Sequence, residues 1–382
     1  MDLFSSPPPL APPTSEGNEL AWLRLLRSRR VGPQTFRRLM EAHGGDAEAA
    51  LAALPAIARN AKMGSYAPCS VADAEAELEA GRRLGAVPLF LGQQAYPALL
   101  AEVPDGPPLL WARGDIALLE RPALALVGAR NASSLGIRMA RALARGLGDG
   151  GDAIVSGLAR GIDAEAHRAA LDTGTVAVVA GGIDVVYPAE NEALMAEIAH
   201  RGLILSEMPP GHRPQARHFP RRNRIVAGLA RALVVVEAAA KSGSLLTARE
   251  AADLGRDVFA VPGHPFDRRA AGCNVLLRDG ATLIRGPDDI HAALGDTSST
   301  PAPRPRRARR ISPLHTVPAR PLPDPNCSRE RVLELLSAAP VEEDQLQRDS
   351  GLPSPALAAL LTELELDGKI RRAPGGLLSR AR

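Results

Sequence analysis

The stretch RHFPRRNR, residues 217–224, gathers Arg217, Arg221, Arg222 and Arg224 around His218 and Phe219. Between Glu207 and Glu237 no acidic residue occurs, yet the interval also holds Arg213 and Arg231. With Lys+Arg 46 against Asp+Glu 43, a net charge of +3 and a pI near 9.0, this excess is local and not the overflow of a basic chain. Such a cluster requires an anion from outside the sequence interval. Aromatic residues make up only 3% of the chain, so a phenylalanine inside the cluster is informative. Cations that grip phosphates beside a ring that can stack on a base are the parts of a single-stranded nucleic-acid site.

Other short segments repeat the theme. VGARNASSLG leaves Arg130 just after an apolar run, with Ser133 and Ser134 placed to cap a helix. SGLARGID sets Ser156, Gly157, Gly161 and Asp163 at the next such end, where small residues let backbone N–H groups approach an anion. GGIDVVYPAEN brings Gly181, Gly182, Asp184, Tyr187 and Asn191 to a third. Lys241 precedes Ser242, Gly243 and Ser244, again a helix start beside a cation. Pro220 suits a first helical turn, which puts Arg221, Arg222 and Arg224 near a helix N-terminus. Cations there oppose the helix dipole, so that placement is explained by a bound anion and poorly by stability. Asn223 lies in the same run.

Parts for catalysis are missing from this set. The eight histidines have no partner at metal-ligand spacing, no G-x-S-x-G elbow occurs, and neither a GxGxxG fingerprint nor a P-loop glycine precedes the candidate phosphate turns. Asp163, Asp184, Glu207, Glu237 and Glu250 read as positioning partners of arginines. No metal and no cofactor are expected.

The elements that must position these residues follow from hydrophobic period. Apolar β-branched runs at 123–130, 152–157, 175–182, 202–207, 232–238 and 257–263 alternate with amphipathic helical segments. That order predicts a Rossmann-like α/β core with a parallel sheet covered on both faces over residues 86–295, and AVPLFLG and LLWARGD as edge strands. In an open sheet of this kind ligands bind beyond the carboxyl ends of the strands, where the unusual residues fall.

Residues 18–85 read as a helical domain in which Val31-Gly32-Pro33 and Gly44-Gly45 punctuate helices. This is the pattern of a helix-hairpin-helix or SAM-like module, or of a plain helical corner. Residues 1–17, with five prolines, read as a disordered tail with no signal-peptide pattern. Residues 296–327 form a Pro/Arg-rich linker containing RPRRARR, a run more easily solvated than bound. Residues 328–382 give helix, helix-turn-helix and hairpin, the order of a winged helix, with Ser328 as expected N-cap. Its presumed recognition helix, 356–367, carries Glu363, Glu365 and Asp367 and no cation, which favours protein over DNA as its partner. The scattered Cys69, Cys273 and Cys327 suit reduced thiols in a cytoplasm, and no run is long enough for a membrane span.

Taken in order, VGARNASSLG, SGLARGIDAEAH, GGIDVVYPAEN, SEMPPG, FPRRNRIVAGLA, VVVEAAAKSGSLLTA, GRDVFAVPG and AGCNVLL resemble the DNA-processing protein A family (DprA, also called Smf) over residues 90–290. The resemblance implies an extended Rossmann fold, a homodimer, no catalysis, and binding of incoming single-stranded DNA in natural transformation. It also implies protection of that strand and loading of RecA recombinase. The family's DNA pocket carries over onto Arg130, Ser156, Gly157, Phe219, Arg222, Asn223, Arg224 and Lys241. Two other readings compete. Thr247 and Glu250 have the T-x-x-E spacing of lysine-decarboxylase-like nucleotide hydrolases, though without the double glycine before the threonine. Alternatively, the sheet is a scaffold and the terminal modules bind partners.

Overall fold

Along ALALV, residues 123–127, Leu124 and Leu126 enter one hydrophobic cluster while Ala125 and Val127 enter another. Successive strand side chains point to opposite faces, so a run that is apolar throughout demands cover on both. The computed structural model, which describes residues 11–62, 64–295, 325–336, 340–373 and 376–381, supplies that cover.

Nine strands form the main sheet: β1 (Val87–Phe90), β2 (Leu109–Gly114), β3 (Ala123–Val127), β4 (Ala153–Ser156), β5 (Thr175–Val178), β6 (Leu203–Ser206), β7 (Ala232–Val235), β8 (Asp257–Ala260) and β9 (Thr282–Leu283). Their order is β1-β2-β6-β5-β4-β3-β7-β8-β9. The seven from β6 to β9 run parallel, and β1 and β2 extend the β6 edge antiparallel. All six expected core strands are present, and AVPLFLG and LLWARGD supply the edge pair; β9, only two residues long, gave no periodic signal.

One face is packed by α6 (Ser134–Asp149) and α7 (Ile162–Ala170), through residues such as Ile137, Leu143 and Ala166. The other is packed by α8 (Glu192–Arg201), α9 (His218–Leu229) and α10 (Gly243–Asp253), through Ile198, Ile225 and Ala251 among others. Ser133 is the N-cap of α6, its hydroxyl accepting from Gly136 N. The neighbouring Ser134 is the first helical residue and its hydroxyl is buried without a partner, so only one of the two expected serines caps.

The N-terminal helices are α1 (Glu16–Arg27), α2 (Pro33–Ala42), α3 (Ala47–Asn60) and α4 (Val71–Arg83). They are tied to the sheet through Glu77, which accepts from Trp111 Nε1 at 2.9 Å and from Arg27 at 2.8 and 2.7 Å. Residues 1–10 of the expected tail and 296–324 of the expected linker lie outside the described residues.

At the C-terminal end stand α13 (Pro325–Leu335), α14 (Glu343–Ser350), α15 (Ser354–Leu366) and a small sheet of β10 (Val341–Glu342), β11 (Ile370–Ala373) and β12 (Leu377–Arg380). The remaining helices, α5 (Ala98–Ala101), α11 (Ala271–Arg278) and α12 (Pro287–Ala293), are short connections. Ser328 is not the N-cap expected of it. The helix starts at Pro325, whose fixed φ suits a first turn, and Ser328 falls inside it. The acids of α15 have internal partners: Arg329 pairs with Glu363 at 3.6 Å and with Asp367, and Arg372 lies 3.6 Å from Glu365.

Candidate nucleic-acid interface

Helix α9 sorts the arginine cluster by its own period. Phe219, Arg222, Asn223 and Val226 stand at i, i+3, i+4 and i+7, and these four line an open groove beyond the carboxyl ends of β3, β4 and β7. Lys241, Ser242 and Gly243 line it from the start of α10, and Arg130 from the end of β3. First-turn residues of α7 (Asp163), α9 (Phe219 and Pro220) and α10 (Gly243 and Ser244) border this groove, so three helix N-terminal turns share one space. The positive ends of the helix dipoles there favour an anion.

Arg222 is the centre of the site. Its side chain is buried at 7% exposure, its Nε has no hydrogen-bond partner, and among the described residues no carboxylate lies within ion-pair distance of it. Burial holds its guanidinium below the ordinary arginine range, partly offset by Asp163. Burial also raises the Asp163 carboxyl, although Arg222 and the N–H groups of Gly157 (3.2 Å) and Ala159 (3.4 Å) favour its ionised form. Gly157 is required by close approach: a Cβ there would sit 1.1 Å from Arg222 Nη1. Leu158, next in the turn, adopts φ +54 and is held by Asn191, whose Nδ2 donates to its carbonyl at 2.9 Å. A non-glycine residue in that region stores strain that its surroundings must hold in place.

Beside Arg222 the groove deepens into a smaller pocket walled by Gly157, Leu158, Val179, Tyr187, Pro214 and Phe219. Phe219 is half-buried; its ring centroid lies 5.4 Å from that of Tyr187, and the Arg130 guanidinium lies 5.5 Å from it. Tyr187 is 49% exposed. Two rings and a cation thus border this pocket, the kind of surroundings an unpaired base would use.

Several expected site residues stand elsewhere. Arg224 is buried away from the groove; it pairs with Glu207 Oε2 at 2.6 Å, lies 3.6 Å from Asp105 Oδ2 and donates to the Asp105 carbonyl. It is therefore not an unpaired cation at a helix start, because an acid at the edge of the arginine-rich interval folds back onto it. Arg221 is exposed and does not line the groove. Ser156 is fully buried and its hydroxyl donates to the Leu126 carbonyl at 2.6 Å, so its side chain ties β4 to β3 and does not line the groove. Ser242 is both groove wall and N-cap of α10, its hydroxyl accepting from Ser244 N. Tyr187, Asn131, Arg160 and Arg269 also line the site, beyond the expected site residues. Tyr187 stands at the third strand end, and only the fold pairs its ring with Phe219.

Of the carboxylates expected to position arginines, Glu207 pairs with Arg224, whereas Glu237 holds a helix start instead. Its oxygens accept from Ser133 N at 3.1 and 3.3 Å and from Ser133 Oγ at 2.5 Å, which anchors the start of α6. The hydrolase pattern does not assemble in the groove. Thr247 borders it, whereas Glu250 is absent from its lining. Burial, reinforced by Asp105, pushes the Glu250 carboxyl up to about 7. Among the described residues there is no group of three or more His, Cys, Asp or Glu placed to hold a metal, and no helix is long and apolar enough to cross a membrane.

Comparison with known proteins decides the family. A model described as DNA recombination-mediator protein A matches residues 88–295, more than half of the chain. The chain belongs to the DprA/Smf family. A DprA-like N-terminal HHH domain model matches residues 16–80, and a DprA winged helix domain model matches 316–376. Protein Smf of Synechocystis is 38% identical over 304 residues, spanning 73% of this chain and 76% of that protein. DNA processing protein DprA of Streptococcus pneumoniae is 45% identical over 199 residues, 52% of this chain and 70% of that one. The solved structure of the S. pneumoniae DprA superposes with a TM-score of 0.62 at 35% identity, covering 73% of this chain and 98% of that chain. The Helicobacter pylori DprA structure, described as giving its single-stranded DNA binding mode, has a TM-score of 0.51 at 31% identity, covering 56% and 97%.

Proposed function

We propose that the groove binds the backbone of single-stranded DNA with little sequence preference, with one base stacked against the aromatic pair Phe219 and Tyr187 beside Arg130. The observation that carries this reading is Arg222, a buried guanidinium without an ion-pair partner, facing both groove and pocket. A buried charge left uncompensated costs several kcal/mol. A phosphate between Arg222, Lys241 and the positive helix ends offsets that cost. The related H. pylori DprA, whose structure is described for its single-stranded DNA binding mode, supports the same ligand here.

In this reading the protein is a non-catalytic mediator of the cytoplasm. It acts in natural transformation as a homodimer, protects incoming DNA and hands the strand to RecA recombinase. The proposed units are a helical domain at 18–85, the DNA-binding core at 86–295, and a winged helix from 328 onward. The DNA ligand is tested by fluorescence anisotropy. Labelled oligo-dT should bind more tightly than duplex of the same length, because stacking on Phe219 is closed to paired bases. Preference for duplex would overturn the proposal. Incubation with nucleoside monophosphates should release no free base; turnover would return the hydrolase reading. Light scattering of the full chain at micromolar concentration should report twice the monomer mass.

A further inference from the structure

The far rim of the groove is lined by Asn131 and Arg269, and both are engaged by the winged-helix end of the chain. Asn131 Nδ2 donates to Glu334 Oε1 at 3.1 Å, and Arg269 Nη2 donates to the Leu336 carbonyl at 3.1 Å. Glu334 is in the last turn of α13, and Leu336 follows it directly. The C-terminal end of a helix carries partial negative charge, here joined by a carboxylate. Two groove donors of the kind a phosphate engages are therefore satisfied by an anionic group of the same chain. Arg269 keeps capacity to spare: its Nη1 is buried without a partner, and no carboxylate stands within ion-pair distance among the described residues. The docking is supported from behind by Arg141 on α6, whose Nη1 lies 3.6 Å from Oδ1 of Asp349 on α14. The Asp349 side chain is fully buried and its Oδ2 has no partner among the described residues, a costly state for a carboxylate that a tight, permanent interface would be expected to satisfy.

We infer that Asn131 and Arg269 form a phosphate subsite at the far rim of the groove, and that the C-terminal end of α13 occupies it as an internal competitor of single-stranded DNA. The inference rests on reading the groove as a single-strand site. A strand that extends from Arg222 past Lys241 to the β8 end displaces α13, and the winged helix is released from the core as the strand is bound. The device makes DNA binding and exposure of the winged helix one event.

The test uses the full chain and anisotropy with labelled oligo-dT. Glu334→Ala should tighten binding by about fivefold, the lower end of ordinary coupling between sites. Adding Arg269→Ala to that variant should weaken binding by at least about fivefold relative to Glu334→Ala alone. Hydrogen exchange follows the release separately: oligo-dT should speed exchange of the α14 amides, 343–350, in the unmodified chain. Equal affinities across the parent and both variants, or DNA binding with no change in α14 exchange, would overturn this inference and leave the proposed function standing. Failure of both the parent and Glu334→Ala to bind oligo-dT would overturn the two together.

Discussion

Arg222 and Arg224, two positions apart on α9, point to opposite sides of the helix and meet opposite electrostatic surroundings. Two residues subtend about 200° at 3.6 residues per turn. Arg222 reaches the groove with no ion pair among the described residues, while Arg224 pairs with Glu207 at 2.6 Å. Arg222→Met should abolish most oligo-dT affinity, a loss of more than about tenfold or 1.4 kcal/mol, while leaving the melting temperature unchanged or raised. Arg224→Ala should instead destabilise by about 3 kcal/mol in denaturant melts, because it leaves Glu207 buried without its cation. A variant pair with these effects exchanged would refute the division.

Salt dependence counts the phosphate contacts. With Arg224 engaged in a structural pair, Arg130, Arg222 and Lys241 remain in the inner groove. Three contacts give log K against log salt a slope near −2, at about −0.7 per contact for single strands. Lys241→Ala should make the slope shallower by about 0.7. A slope unaffected by this change would place Lys241 outside the interface.

Stacking and charge should separate. Phe219→Ala should weaken oligo-dT binding by about 1–3 kcal/mol and leave the salt slope alone, since it removes a ring and no charge. Tyr187→Ala should act in the same direction, because its ring lies 5.4 Å from that of Phe219. A changed slope in either variant would show that the ring acts by holding Arg130.

Gly157→Ala tests geometry without altering charge. The added Cβ would fall 1.1 Å from Arg222 Nη1, so the guanidinium must move. Oligo-dT affinity should drop toward that of Arg222→Met although every arginine remains. Retained affinity would mean that Arg222 has another productive position.

Acid stability should report His167. Burial, with Arg222 and Arg168 nearby, pushes its ring down to about 3 from 6.5. Between those values the unfolded chain binds the extra proton, so stability rises with pH, is fully present above about 6.5 and is lost as pH falls toward about 3. The loss between pH 7 and pH 5 should be about 2 kcal/mol. In denaturant melts at the two pH values, His167→Asn should remove most of that difference. An unchanged difference would show that His167 is protonated in the folded chain.

The sequence alone determined the layered core, because strands that are apolar at every position can exist only in a sheet covered on both faces. It also marked which strand ends would be crowded with glycine, serine and arginine. The roles of α9's residues were partly legible too, since Phe219, Arg222 and Asn223 already share one helical face by spacing, with Arg224 off it. What only the tertiary structure decided was which partners come from far along the chain. Glu207 and Asp105 neutralise Arg224, Tyr187 meets Phe219, and Glu334 reaches Asn131 across 203 residues. Period and propensity are local properties, whereas the fate of a charge depends on whatever the fold brings within a few ångströms of it, and that is set by sheet order and helix packing.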